Sequence, residues 1–164
     1  MSNHYACSGD VIYRIAADAD LPALARLRWG LKTEDRRAAE GEDFARFCDA
    51  FLRRERDDRA FGDAVHWMAV AGGAPVAAMS VVLVKKLASP GGSGRRWGYL
   101  TNCYVAPAHR NGGLGAGLID AIQHWAKSEA LEFLIVWPSE RAFAFYRRMG
   151  FSVPDEVLVW TPEQ

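Results

Sequence analysis

Between Arg110 and Gly117 the chain reads Arg-Asn-Gly-Gly-Leu-Gly-Ala-Gly, a run whose chemistry lies in its backbone. An apolar, β-branched and aromatic stretch ends at Val105, Pro107 follows, and an apolar-periodic stretch begins after the glycines. This order predicts a strand, a glycine-rich turn and the first turn of a helix over 97–118. The leading N–H groups of a helix have no intrahelical partner, and the helix dipole places partial positive charge there. Glycines keep side chains away from those groups and permit positive φ. Such a turn suits phosphate or pyrophosphate, and Arg110 adds a charge at its rim.

Three phosphate-binding patterns compete for the stretch. A P-loop requires Lys followed by Ser or Thr after its glycines, and 97–118 contains no Lys. A dinucleotide fingerprint requires Gly-x-Gly-x-x-Gly, but Gly113-Leu114-Gly115 is followed by Ala116-Gly117, one place early. The third pattern fits. Arg110-x-x-Gly113-x-Gly115 resembles the Gln/Arg-x-x-Gly-x-Gly/Ala signature of the GNAT superfamily of N-acetyltransferases, and Val105-x-Pro107-x-x-Arg110 is similar to its strand-to-loop approach. A second block, SERAFAFYRRMGF from Ser139 to Phe151, resembles the family's Asn-x-x-Ala-x-x-x-Tyr-x-x-x-Gly-Phe at Ala142, Tyr146, Gly150 and Phe151.

The resemblance implies that Arg110, Asn111, Gly112, Gly113, Leu114, Gly115 and Ala116 hold the pyrophosphate of acetyl-CoA. It implies that the backbone of Cys103, Tyr104 and Val105 pairs with the pantetheine like an added strand. Ser139 stands where the family often has Asn and offers one hydrogen bond of shorter reach. Tyr146 matches the tyrosine that faces the CoA sulfur; a phenol near its ordinary pKa is protonated at neutral pH and can donate to a leaving thiolate. The implied reaction is acetyl transfer to a primary amine, of a small molecule first and of a protein second. A CoA-binding sensor or scaffold of the same fold is the alternative without catalysis; an intact loop and Tyr146 oppose it.

An amine must be neutral to attack. Many family members carry a carboxylate on the strand before the loop, but 97–105 has none, and Thr101 and Asn102 are not bases. Glu34, Asp35 and Glu156 are carboxylates that could come from elsewhere; water is the other carrier. Cys103 reads as an inert strand cysteine, and His66 stands at a strand start within reach of a cleft. His4, His109 and His124 read as quiet, and no pair has metal-ligand spacing, so no metal is expected.

The elements that must position these groups emerge from composition and periodicity. With 164 residues, 50% hydrophobic and 12% aromatic, the chain reads as one domain over 1–164, its first ten residues a loosely ordered tail. Basic and acidic residues number 20 each, which argues against nucleic acid as a partner. The amino terminus lacks a signal pattern, no stretch reaches membrane-spanning length, and three scattered cysteines suit the reducing cytoplasm. Uncovered Trp and Phe residues would permit a homodimer.

A strand is expected at 11–15, then a helix capped by Asp20 with Pro22 in its first turn and a stripe of Leu21, Leu24, Leu27 and Leu31. The charged stretch 32–59 hides an amphipathic helix on Phe44, Phe47, Cys48, Phe51 and Leu52, with its charges on a solvated face. Two strands, 65–71 and 75–87, form a hairpin through Gly72-Gly73-Ala74. A glycine-rich connection over 89–94 leads to the strand before the loop, and the loop at 88–96 joins 28–60 as a candidate acceptor-selecting region. The central helix buries Leu118, Ala121, Ile122 and Trp125. A strand buried on both faces is expected at 131–137, a helix through Ala142, Phe145, Tyr146 and Met149 ending at Gly150, and a closing strand at 157–160. The result is an α/β (α+β) fold, a mostly antiparallel mixed sheet flanked by helices with one parallel crossover. The GNAT-like resemblance adds that the central strand pair splays.

Overall fold

The computed structural model describes residues 4–8, 10–34, 44–61, 64–87, 90, 95–154, 157–160 and 162. Among these residues six strands form one sheet in chain order: β1 (His4–Ser8), β2 (Val11–Ile15), β3 (Ala64–Ala71), β4 (Ala74–Lys85), β5 (Arg96–Val105) and β6 (Leu134–Val136). Neighbours are antiparallel except β5 and β6, whose crossover contains helix α3 (Leu114–Ser128). Helices α1 (Leu21–Thr33) and α2 (Phe44–Phe61) link β2 to β3, and α4 (Glu140–Arg148) follows β6. This is the expected mixed, mostly antiparallel sheet flanked by helices.

Alternation along the strands sorts side chains onto two faces. Tyr13, Trp67, Met79, Val81 and Leu100 meet Leu118, Ile119, Ile122 and Trp125 of α3 in one core, and Trp67 contacts Trp125 edge-on at 5.9 Å. Met68 and Ala78 meet Leu21, Leu24 and Leu27 of α1 on the other face, with Phe51 and Leu52 of α2 packed against them. Each fully buried large side chain of this kind contributes roughly 1.5–3 kcal/mol of transfer free energy. The hairpin between β3 and β4 turns through Gly72 and Gly73 at φ of 56° and 78°, the positive values its tight turn requires.

Four expectations need correction. Residues 1–10 were expected as a loose tail, yet His4–Ser8 form β1, with Cys7 opposite Ile12 and Ser8 opposite Val11. An open strand edge offers donors and acceptors that a short segment can satisfy whatever its polarity. Asp20 precedes α1, but its carboxylate does not cap it. It accepts from both Arg14 guanidinium nitrogens, at 2.5 and 2.8 Å, and from the Ala17 N–H at 2.8 Å. The Arg14 hydrogen bonds, then the Ala17 N–H, hold the Asp20 carboxyl below its ordinary value against the opposing effect of burial.

The run 131–137 is not a strand buried on both faces: only Leu134–Val136 pair, all half-buried, and Phe133 and Trp137 are exposed. Its aromatic residues stack along an edge instead, Phe133 on Trp97 at 5.4 Å and Trp137 against Tyr99 at 5.1 Å. Residues 157–160 do not close the sheet, and Leu158 is 97% exposed. An apolar run supplies material for burial but does not determine how many strands will flank it.

Close approach of α3 to the sheet depends on Gly117. A Cβ there would lie 2.3 Å from the ring of Tyr13, which is itself buried. Gly117→Ala is therefore expected to destabilise the fold by about 1–3 kcal/mol through overpacking. A urea titration checks this: the midpoint should fall at unchanged slope.

Candidate functional site

The site begins where the sheet separates. Pairing of β5 with β6 covers Gly98 with Leu134, Tyr99 with Ile135 and Leu100 with Val136, then stops. Along its other edge β5 continues beside β4 as far as Val105 opposite Ala77. The register with β4 shifts between Ala78, opposite Tyr104, and Ser80, opposite Thr101, so Asn102 and Cys103 together face Met79. Asn102 takes φ of 54°, the left-handed conformation that Asn tolerates better than most residues. Beyond Leu100, β5 thus has a strand neighbour on one side and a gap on the other. Ser139, the residue before α4, stands past the end of β6, and its side chain makes no capping hydrogen bond.

The glycine turn lies at the far end of β5. A short 3-10 turn, Pro107–His109, leads into Arg110 to Gly113, with Asn111 at φ 63° and Gly113 at φ 80°. The Gly117 N–H donates to the Gly113 carbonyl at 3.0 Å, and no side chain caps the start of α3. The N–H groups ahead of Gly117 are therefore unspent within the helix. Gly115 lies beside Phe145, where a Cβ would make an ordinary contact 3.4 Å from its ring. A pyrophosphate fits this arrangement of unspent donors and absent side chains.

Arg110 is present at the rim but engaged. Its Nε donates to the Val105 carbonyl at 3.0 Å, its two terminal nitrogens donate to Glu34 at 2.5 Å each, and it lies over the Tyr104 ring. The Val105 carbonyl is thus already an acceptor within the chain. Arg110 also holds the Glu34 carboxyl below its ordinary value. That ion pair persists above the ordinary carboxylate range and is lost only as pH falls through the lowered value. A carboxylate so stabilised is a poor proton acceptor, which counts against Glu34 as the base. Asp35 and Glu156 lie outside the described residues.

On the α3/α4 side of the gap stands Tyr146, 5% exposed, with Phe145 and Phe151 edge-on to its ring at 5.1 and 5.5 Å. Its hydroxyl lies beside the Cys103 thiol, close enough for each group to shift the other's titration. Burial first, and the Cys103 neighbour second, push the phenol far above its ordinary value, so it stays protonated. Burial likewise raises the Cys103 thiol to about 11. A thiol in that state is a weak nucleophile at neutral pH, in keeping with an inert strand cysteine.

The α1/α2 face holds a polar cluster that motif reading did not assemble. His66 Nε2 lies 2.7 Å from Glu55 Oε2, and His66 Nδ1 lies 2.8 Å from Ser80 Oγ. Asn102 Nδ2 donates to the same Ser80 oxygen at 3.4 Å, and Arg28 donates to Asn102 Oδ1 at 3.1 Å. Of these, only His66 and Asn102 stood out in the sequence. Glu55 carried a signal: it continues the stripe of Phe44, Phe47, Phe51 and Leu52 at helical spacing, so a carboxylate falls on the apolar face of α2. Arg28 and Ser80 had no comparable mark.

The remaining positions settle plainly. Trp29 packs against Phe44 and Phe47 between α1 and α2, at 5.4 and 5.2 Å. His109 and His124 are exposed. Residues 35–43, within the expected acceptor-selecting region, and 88–89 and 91–94 near the glycine-rich connection lie outside the described residues. Among the described residues no metal-ligating cluster forms, and no helix is long and apolar enough to cross a membrane.

The pattern of the Acetyltransferase (GNAT) family matches residues 23–151. The fold is similar to a protein from Clostridium acetobutylicum described as a predicted acetyltransferase and solved with acetyl-CoA: 22% identity over 92% of this chain and 96% of that one, TM-score 0.70. It is also similar to a GCN5-related N-acetyltransferase from Ralstonia eutropha, at 26% identity over 92% and 98%, TM-score 0.68. A third similar structure is glucosamine-6-phosphate N-acetyltransferase from Arabidopsis thaliana, at 20% identity over 93% and 99%, TM-score 0.67. No curated protein matches the sequence.

The raised Cys103 thiol makes a direct test of the site's electrostatics. Iodoacetamide at neutral pH should leave Cys103 unmodified in peptide mass maps, and labelling should appear only as pH rises toward about 11. Rapid labelling at neutral pH would show a thiolate that the burial does not allow.

Proposed function

The chain belongs to the Acetyltransferase (GNAT) family, and from that membership we propose that it transfers an acetyl group from acetyl-CoA to the primary amine of a small molecule. The observation that carries this reading is the gap beyond Leu100 and Val136, with an uncapped glycine turn at one end and a protonated tyrosine at its wall. The turn offers N–H donors to the pyrophosphate. The free edge of β5 at Cys103 and Tyr104 offers backbone groups to the pantetheine in the manner of an added strand. Ser139 at the opposite lip offers one hydroxyl.

In this reading Tyr146 is the catalytic acid. Attack of the amine on the thioester carbonyl and collapse of the adduct release a thiolate, and the Tyr146 O–H donates to it as it forms. The phenol recovers its proton from the nitrogen that has become an amide. A raised value keeps the phenol loaded across the neutral range, ready to hydrogen-bond the developing thiolate, and it makes full proton transfer to sulfur harder. The free Cys48 and Cys103 thiols accord with a cytoplasmic setting.

Arg110 has a second role here. Bound to Glu34, it must change partners to reach a phosphate. Thiol release over an amine panel and calorimetry with acetyl-CoA test both residues. Tyr146→Phe should lower kcat by about 100-fold while leaving acetyl-CoA affinity near that of the unaltered chain; unchanged turnover removes Tyr146 from the chemistry. Glu34→Gln should tighten acetyl-CoA binding by about tenfold, the worth of one charge-assisted hydrogen bond regained. Weaker binding in Glu34→Gln would mean that the pair organises the turn rather than competing with its ligand.

A further inference from the structure

The acetyl-transfer reading lacks a proton acceptor for the incoming amine, since β5 carries no carboxylate and Glu34 is held by Arg110. We propose that Ser80, His66 and Glu55 form a relay that takes that proton from the α1/α2 side of the gap. The inference rests on the acetyltransferase reading and assigns the step that reading leaves open.

Glu55 as a carboxylate can only accept, so His66 Nε2 carries the hydrogen of the 2.7 Å contact. With Nε2 protonated in the neutral ring, Nδ1 accepts the Ser80 hydroxyl hydrogen at 2.8 Å. This is the carboxylate–imidazole–hydroxyl order in which a carboxylate fixes the tautomer and steadies the imidazolium that forms. Ser80 Oγ keeps lone-pair capacity beyond that bond. Asn102 uses part of it at 3.4 Å, and Asn102 is the bulged residue just past the last rung between β5 and β6.

Asn102 and Cys103 are successive residues at the point where the gap opens. One reaches toward Ser80 on the α1/α2 face, and the other meets the Tyr146 hydroxyl on the α3/α4 face. An acetyl group lying in the gap at Cys103 would have a proton donor on one side and a proton acceptor on the other. The amine enters and the thiolate leaves on different sides, so this division is what the reaction requires.

The cluster is also buried. Ser80 is 4% exposed, and the His66 and Glu55 side chains are 10% and 15% exposed. Placing such groups under two helices costs free energy that apolar residues would not incur. Among the described residues the charged groups facing this pocket are Glu55 from α2 and Arg28 from α1, with Tyr99 of β5 a further titratable neighbour. Burial lowers the Arg28 pKa from its ordinary value, and Glu55 then Tyr99 partly restore it.

In the proposed step the ammonium gives one proton to Ser80 Oγ, directly or through one water, as the Ser80 hydrogen passes to His66 Nδ1. The freed lone pair forms the N–C bond while the carbonyl π pair moves to oxygen. Collapse breaks the C–S bond, and the thiolate takes the Tyr146 proton, which the second nitrogen-bound proton replaces. His66 then releases its proton to solvent, so one ammonium and one thioester yield an amide, a thiol and one proton. Ser80 and Tyr146 touch the reacting groups; Glu55 is a positioning residue that acts through His66.

The test uses the full chain and two nucleophiles, ethanolamine and hydroxylamine, with thiol release from acetyl-CoA followed from about pH 6 to 10. Ethanolamine is an ammonium over most of that range, whereas hydroxylamine is neutral over all but its lowest end and there needs no acceptor before attack. In His66→Gln the ethanolamine rate should fall about 100-fold near neutral pH and recover as pH rises. The hydroxylamine rate should stay near that of the unaltered chain. Glu55→Gln, which keeps shape and a hydrogen bond, should show the same selective loss to a smaller degree and guards against misfolding of the first variant. Equal loss with both nucleophiles at every pH would make the cluster structural and overturn the relay, as would no loss with either. Failure of the unaltered chain to release thiol with either nucleophile, while acetyl-CoA still binds, would overturn the acetyltransferase reading itself, and the relay with it.

Discussion

The site depends on an unequal pairing: β5 is held by β4 along its whole length and by β6 over three rungs only. Backbone donors and acceptors in a sheet interior need partners, and those of β5 past Leu100 have no strand on one side. The bulge at Asn102 sharpens the break, because an added residue bends the strand and redirects the residues after it. A gap of this kind is where an extended ligand can pair as a strand would. The glycine turn and Tyr146 stand at its margins, and Asn102 of the strand beside it hydrogen-bonds to the Ser80 cluster.

The two faces of the sheet at this point differ in what burial does to them. On the α3/α4 face, apolar packing and the rings of Phe145 and Phe151 surround a phenol, and loss of water keeps its proton in place. On the α1/α2 face, polar groups are buried in company: carboxylate, imidazole, hydroxyl, amide and guanidinium form one continuous chain of contacts. Such a network is tolerable only when each member is satisfied, since a buried polar group left alone costs about 1–3 kcal/mol. The aromatic contacts of Trp29 with Phe44 and Phe47 join α1 to α2 and so help bring Glu55 over His66.

Charge at the turn shows a similar economy of partners. Arg110 spans the Val105 carbonyl, Glu34 and the Tyr104 ring, and thereby ties the end of α1 to the end of β5. Tyr104 in turn lies so close to Gly30 that a Cβ there would come within 2.7 Å of its hydroxyl. The helix that carries Arg28 toward Asn102 is thus seated against the strand that carries Asn102. Family membership gives the class of chemistry, but one fold serves many acceptors, and the choice rests on local groups of this sort.

Local rules made much of this chain legible. The glycine spacing after an apolar run announced the strand, the turn and α3, because φ preference and missing side chains are properties of residues themselves. Gly72-Gly73 announced the hairpin for the same reason, and the stripes of α1, α2 and α3 came from their period. Tyr146 was marked by resemblance instead, through the likeness of the block ending at Gly150 and Phe151 to that of the GNAT family. What sequence could not decide was which groups come to share one space. Glu55, His66, Ser80 and Asn102 lie on four different elements, and only strand register and helix docking bring their atoms within hydrogen-bond distance. Asp20 turned to Arg14 rather than to its helix, Arg110 found Glu34, and the runs at 131–137 and 157–160 did not become the strands their composition allowed. In each case a side chain or edge had several partners compatible with its chemistry, and long-range packing selected one.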